Sequence, residues 1–225
     1  MSETALVIAA HADDEVLGCG GTIAKLTKTG TRVEIAFLAD AVSSRTGHID
    51  SAELQRRQDA ARQACRILGA SGLSFGQFPD NSMDRAALLD VTRHVESLIA
   101  AHRPRTILTH FAGDLNVDHR CVHDAVVTAC RPQAGHPVKT LLFFEVMSST
   151  EWQAPDFGRP FTPTWFIDIS GTLDLKLQAL AAYSEELRHW PHPRSMEGVQ
   201  ALARWRGATI GTQAAEAFVL GRHLT

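Results

Sequence analysis

Apolar residues recur along this chain in two rhythms. Short runs at Leu6–Ala10, at Val33–Leu38 with Glu34 inside it, and at Thr106–Thr109 have the length of strands buried on both faces. Leu73–Phe78, Lys139–Val146 and Phe166–Ile169 read as further strands. Between them the period lengthens. Glu53–Leu68 sets Leu54, Ala61, Ala64, Cys65 and Leu68 on one helical face, with arginines and Asp59 opposite, and Gly69 ends it. Thr22–Thr29, Asp84–His102, Asp118–Cys130, Leu173–Arg188 and Met196–Ala203 are also read as helices, punctuated by Gly30, Pro104 and Pro132. A Pro-rich loop occupies Thr150–Pro163.

Strands alternating with helices predict an α/β fold: a Rossmann-like, mostly parallel sheet with helices on both faces, in one domain over 1–225. Ligands bind such sheets beyond the carboxyl ends of the strands. That rule selects the segments after Ala10, Ala39, Phe78, Thr109 and Val146.

Composition narrows the partners. The 225 residues carry a net charge of -3, which gives no reason to expect nucleic acid. No apolar run approaches the ~20 residues of a membrane span. No positive charge precedes the Leu6–Ala10 run, so no secretory signal is read and a cytoplasmic protein is expected. Cys19, Cys65, Cys121 and Cys130 form no C-x-x-C pair and read as reduced apolar residues.

The chemistry concentrates at two strand ends. After the first strand stands His11-Ala12-Asp13-Asp14-Glu15. Carboxylates at a helix N-terminus account equally well for Asp14 and Glu15, but not for a histidine closing an apolar strand. After Thr106–Thr109 come His110, Asp114, Asn116, Asp118, His119 and His123, where Asp118 reads equally as an N-cap. Together the clusters supply a hydrolytic metal site. Such a site takes about three His and carboxylate ligands, leaves a position for water, and sets a carboxylate nearby to take the proton. Adjacent Asp13 and Asp14 can divide that work. His119 and His123 are four apart, the spacing of a zinc-binding pair, so either both or His119 alone would ligate. Gly18-Cys19-Gly20-Gly21 is no dinucleotide fingerprint, since Ile23 stands where the last glycine belongs.

At these residues the chain resembles the PIG-L/LmbE family of zinc-dependent de-N-acetylases, the GlcNAc-PI de-N-acetylase-like enzymes. The family's A-H-P-D-D-E reads here Ala10-His11-Ala12-Asp13-Asp14-Glu15, and its H-x-D-H reads Asn116-Val117-Asp118-His119. The likeness continues through Arg56-Arg57-Gln58-Asp59, Leu68-Gly69, Pro79-Asp80, Arg206-Gly207 and Ala215-Glu216-Ala217-Phe218, covering nearly the whole chain. The resemblance implies that His11, Asp14 and His119 bind Zn2+, that Asp13 is the general base, and that Arg56 and Asp80 line the substrate pocket. It implies loss of acetate from an N-acetylated amino sugar or conjugate, and it admits a homo-oligomer.

Two positions depart from the family. Ala12 replaces proline and changes only loop stiffness. Asn116 stands where many members carry histidine; it can donate a hydrogen bond to an oxyanion but supplies no proton. Asp13 is then expected to return the proton to the amine, with His110, His123 and His192 as alternates. His110 and Arg194 are further candidates for substrate contact, Arg194 for an anionic group. Asp40, at the end of the second strand, is a candidate to line the pocket; Trp152, Trp165 and Trp190 flank Pro-rich segments, where packing is the commoner role of an aromatic ring and stacking on a sugar the alternative. The same donors accept Fe2+, Co2+ or Mn2+. The alternatives are an amidase acting on another acyl amide or thiol conjugate, and a non-catalytic metal- or nucleotide-binding α/β module. A spare carboxylate at Asp13 argues against the last.

Overall fold

A computed structural model describes residues 3–40, 51–154 and 160–225. Its strands are β1 (Thr4–Ala9), β2 (Arg32–Ala39), β3 (Gly72–Phe78), β4 (Thr106–His110), β5 (Thr140–Phe144), β6 (Trp165–Asp168) and β7 (Ala215–His223). Among the described residues the helices are α1 (Asp14–Lys28), α2 (Ser51–Leu68), α3 (Leu88–His102), α4 (Val117–Ala129), α5 (Leu173–Ala182) and α6 (Met196–Ala208).

The strands form one sheet in the order β3-β2-β1-β4-β5-β7-β6. β1 to β5 are parallel, with Val7 opposite both Ile35 and Leu108. β7 runs antiparallel to β5 and β6. Side chains alternate across the sheet. Ala5, Val7 and Ala9 meet Val16 and Ile23 of α1, Ala61, Ala64 and Leu68 of α2, and Leu180 of α5. Leu6, Ile8 and Ala10 meet Val91 and Val95 of α3 and Val122 and Val126 of α4. Burial on both faces is why Leu6–Ala10 carries no polar residue. The expected mostly parallel sheet, covered on both sides, is the observed one.

Three expectations need correction. First, the helix expected from Thr22 begins at Asp14 and takes in the glycine cluster. It is broken at Cys19 (φ -148, ψ 23), and its glycines press against the sheet. A Cβ on Gly21 would meet Ile169 Cδ1 at 2.7 Å, and one on Gly18 would enter the Phe144 ring. Second, β7 has no counterpart in the periodicity. Its charged Glu216, buried at 4 % exposure, interrupts the apolar run that marks a strand. Third, α5 stops at Ala182 instead of Arg188, because the chain turns Tyr183 into the core, where its hydroxyl donates to Glu15 Oε1 (2.6 Å). Smaller shifts occur at α3, where a 3-10 turn, Met83–Arg85, precedes the helix.

Gly21→Ala is expected to cost about 1–3 kcal/mol in chemical denaturation. Ile169 is fully buried and has no room to give way.

Candidate metal centre

β1 and β4 lie side by side where the sheet order reverses, so their carboxyl ends open into one crevice. The two ends are tied directly, since the Ala10 N–H donates to His110 Nε2 (2.8 Å). The two sequence clusters meet at this point.

His11, Asp14 and His119 converge, with their ligand atoms within 4.8 Å of one another. Asp14 Oδ2 lies 3.3 Å from His11 Nδ1 and 3.3 Å from His119 Nε2. Metal bonds of ~2.0–2.1 Å in a tetrahedron set ligand atoms about 3.3–3.4 Å apart. Asp14 Oδ1 and both ring nitrogens of His119 are buried without a hydrogen-bond partner, while Asp14 Oδ2 accepts the His11 N–H (2.8 Å). These separations and the orphaned atoms fit a divalent cation.

Each histidine has carboxylate oxygen close to its other nitrogen, two groups at His11 and one at His119, the placement that orients metal-binding imidazoles. His11 Nε2 faces Asp118 Oδ2 (3.0 Å) and Asp80 Oδ1 (3.1 Å). His119 Nδ1 lies 3.1 Å from Asp114 Oδ1. Asp118 also accepts the backbone N–H groups of Asn81 (2.6 Å) and Met83 (2.9 Å), which pins the loop after β3 to α4. It is not the N-cap. Asn116 fills that role, its Oδ1 accepting from the N–H groups of Asp118 (2.8 Å) and His119 (3.4 Å). Oδ1 being so occupied, Nδ2 is the free end of the amide, and it donates to Asn81 Oδ1 (3.0 Å).

The electrostatics follow from burial. Burial by itself lowers the imidazole of His119, but the charge of Asp14 and the nearby carboxylate of Asp114 outweigh it and raise the group to about 9. Against the same burial, the charge of His119 and the hydrogen bond of His11 hold Asp14 well below the usual carboxylate range. Burial drives Asp13 up; Arg194 pulls it back and the Asp14 charge adds to the rise, leaving it at about 6. Asp13 has φ 129, a conformation L side chains rarely adopt. It is held there by an N–H bond to Glu15 Oε2 (3.1 Å) and by Arg194 Nη1 on its Oδ2 (3.0 Å).

A cavity of about 240 Å3 opens above the cluster, lined by His11, Asp13, Asp80, Asn116 and Arg194 among others. His110 is not among its lining residues: fully buried, it stacks on His119 with ring centroids 3.9 Å apart. His123 sits 2.9 Å from the His110 carbonyl oxygen and lines a separate cavity of about 890 Å3 with Phe111 and Phe143. Arg56 points away to an exposed pairing with Glu185 (3.2 Å), and Arg57 takes the place at the site. Arg57 pairs with Glu186 (2.9 Å). This corrects the reading that sets the arginines opposite the apolar face, since Arg57, three residues from Leu54 and four from Ala61, falls on the apolar stripe of α2. Asp40 lines a neighbouring cavity that also touches Arg57. The ring of Trp152 packs on His192. Part of the Pro-rich loop lies outside the described residues.

The doubly wound α/β sheet carries at its switch point a buried His/Asp cluster that could hold a metal ion. The chain belongs to the PIG-L family, described as GlcNAc-PI de-N-acetylase, which matches residues 6–130. It is 27% identical over 190 residues to diacetylchitobiose deacetylase of Thermococcus kodakarensis, covering 80% of this chain and 69% of that protein. Its fold is similar to the conserved protein TT1542 of Thermus thermophilus (TM-score 0.78, 26% identity, 100% and 97% of the two chains). It is also similar in fold to GalB, the 4-carboxy-2-hydroxymuconate hydratase of Pseudomonas putida (TM-score 0.79, 22% identity, 99% and 98%). No helix among the described residues is long and apolar enough to cross a membrane.

Asp114 gives a pH test. Burial favours its protonated form, but His119 and the hydroxyls of Ser149 and Thr150 reverse this and hold it at about 2. The folded-state value lies below that of an unfolded aspartate, so the stabilisation is present above about pH 4 and is lost as the pH falls through about 2. Asp114→Asn is expected to cost about 2 kcal/mol at pH 7 and to converge with wild type near pH 2, read by urea denaturation across that range.

Proposed function

We propose that this chain is a metal-dependent N-deacetylase that releases acetate from an N-acetylated amino sugar or sugar conjugate. One observation carries the reading. Of two adjacent carboxylates, Asp14 turns into the histidines, while Asp13 lines the cavity outside them. A site that only bound a metal would have no use for the second. Membership of a family of de-N-acetylases and the diacetylchitobiose deacetylase relative support the substrate class.

His11, Asp14 and His119 would hold the ion, which we take to be Zn2+ on ligand type. Bound there, it would polarise the acetyl carbonyl and acidify the attacking water. The chain's own residues do the rest. Asp13, raised to about 6, accepts a proton from the water as the new C–O bond forms. It returns that proton to the amide nitrogen as the C–N bond breaks, giving acetate and the free amine. Arg194 holds the Asp13 carboxylate in place through Oδ2. Asn116 presents Nδ2, a neutral donor for the developing oxyanion. Asp80, Arg57 and Asn81 line the cavity where the sugar hydroxyls would lie. We also take residues 1–225 as one domain, because a single sheet collects strands from Thr4 to His223. The four cysteines are free thiols, which supports a cytoplasmic setting.

The experiment is acetate release from a panel of N-acetylated sugars and conjugates, with zinc-loaded wild type and Asp13→Ala. Wild type is expected to release acetate. Asp13→Ala is expected to lower kcat by about 10²–10⁴-fold with metal still bound. No release from any substrate, with one metal bound per chain, would overturn the acetyl-sugar reading. It would move weight to other amides or to water addition of the kind named for GalB.

A further inference from the structure

We propose that the buried ion pair Lys176–Glu216 positions the metal-binding carboxylate by bridging the break in α1. The inference rests on Asp14 being a metal ligand, as proposed above. The glycine cluster Gly18-Cys19-Gly20-Gly21 divides α1 in two at Cys19. A helix broken in its interior leaves N–H groups of the second half and carbonyls of the first without partners. One ion pair takes up two of those N–H groups and one of those carbonyls. Glu216 Oε1 accepts from the Gly21 N–H (2.9 Å) and Oε2 from the Thr22 N–H (2.7 Å). Lys176 Nζ donates to the Leu17 carbonyl (2.9 Å) and to Glu216 Oε1 (2.6 Å). Both side chains are about 4 % exposed. The signs match the two helix ends, an anion at a helical N-terminus and a cation at a C-terminus.

The first segment, 14–18, is little more than one turn, too short to be stable unaided. Asp14 opens it, and Leu17, held by Lys176, closes it. The position of Asp14 against His11 and His119 therefore depends on where α5 and β7 set the pair. A second contact works in the same direction. Gly18 packs directly on Phe144, whose ring meets His110 edge-on (4.9 Å), and His110 stacks on His119. Lys176 and Glu216 touch none of the three converging residues, so they are positioning residues.

The test is metal affinity, read by zinc competition against a chromogenic chelator and by the absorption of the Co2+ form. Single substitutions leave an uncompensated buried charge, which threatens folding. The main variant is therefore the double substitution Lys176→Met with Glu216→Gln, which removes the pair's charge and keeps an amide oxygen for one of the two N–H groups of Gly21 and Thr22. Arg206→Gln is the control. It breaks a neighbouring pair with Glu145 (2.7 Å) that, among the described residues, makes no hydrogen bond to the α1 backbone. The double variant, folded by circular dichroism, is expected to bind zinc at least about tenfold more weakly and to alter the Co2+ spectrum. Arg206→Gln is expected to lower the melting temperature with zinc affinity within threefold of wild type. A folded double variant with wild-type zinc affinity would overturn the inference. So would equal weakening by Arg206→Gln, which would indicate general loosening. If the double variant does not fold, Glu216→Asp, which keeps the charge but shortens the reach to α1, is read the same way. A wild-type chain that takes up no metal would instead overturn the proposed function, and this inference with it.

Discussion

Asp14 is buried with His11, His110 and His119, and the need to satisfy that cluster shapes everything around it. A buried charge is costly unless it is paired and hydrogen-bonded. Asp14 meets its demand with imidazoles, and two of those imidazoles meet theirs with further carboxylates, Asp118 and Asp80 behind His11 and Asp114 behind His119. Those carboxylates draw in backbone N–H groups and hydroxyls from Asn81, Met83, Ser149 and Thr150. Loops after β3, β4 and β5 are thus fixed by one electrostatic requirement at the end of β1. His110 is the exception that closes the shell. Its Nε2 accepts from Ala10, burial keeps it far below the usual imidazole value, and it serves as a neutral stacking surface.

The same requirement explains the tolerated strain. An aspartate at φ 129 costs about 1–3 kcal/mol, and such residues cluster where geometry serves function. Here the strain turns Asp13 out of the histidine shell and toward Arg194 while Asp14 turns inward. Glu15 holds the Asp13 N–H, and burial keeps Glu15 itself protonated up to about 8, with Tyr183 donating to it. Three consecutive acidic residues therefore have three different environments: one in the cluster, one facing the cavity, one in the core.

Asn116 shows how a departure from a family pattern is accommodated. Its side-chain oxygen caps α4, a role histidine fills poorly, and the cap fixes which end of the amide is free. The consequence is a neutral amide donor that is not an acid, and in the proposed mechanism proton delivery falls to Asp13.

Whatever depends on local pattern is legible along the chain. Periodicity marks β1 to β6 and most of the helices, because strands and helices bury residues at different spacings. The strand-end rule, with His11-Ala12-Asp13-Asp14-Glu15 and Asp118-His119, locates the centre and its converging residues. Tertiary structure decides what depends on distant partners. Glu216 hides β7 because its charge makes sense only beside Lys176. The glycines of α1 look like a loop because the Phe144 and Ile169 side chains that require them come from far along the chain. Asp118 and Asp114 look like an ordinary cap and a loop residue until the fold sets them behind the histidines. Arg57 and Arg56 are adjacent in sequence, yet the turn of α2 against the sheet sends one to the cavity and the other to solvent. Local spacing fixes which residues share a face, but only the packed chain fixes what that face meets.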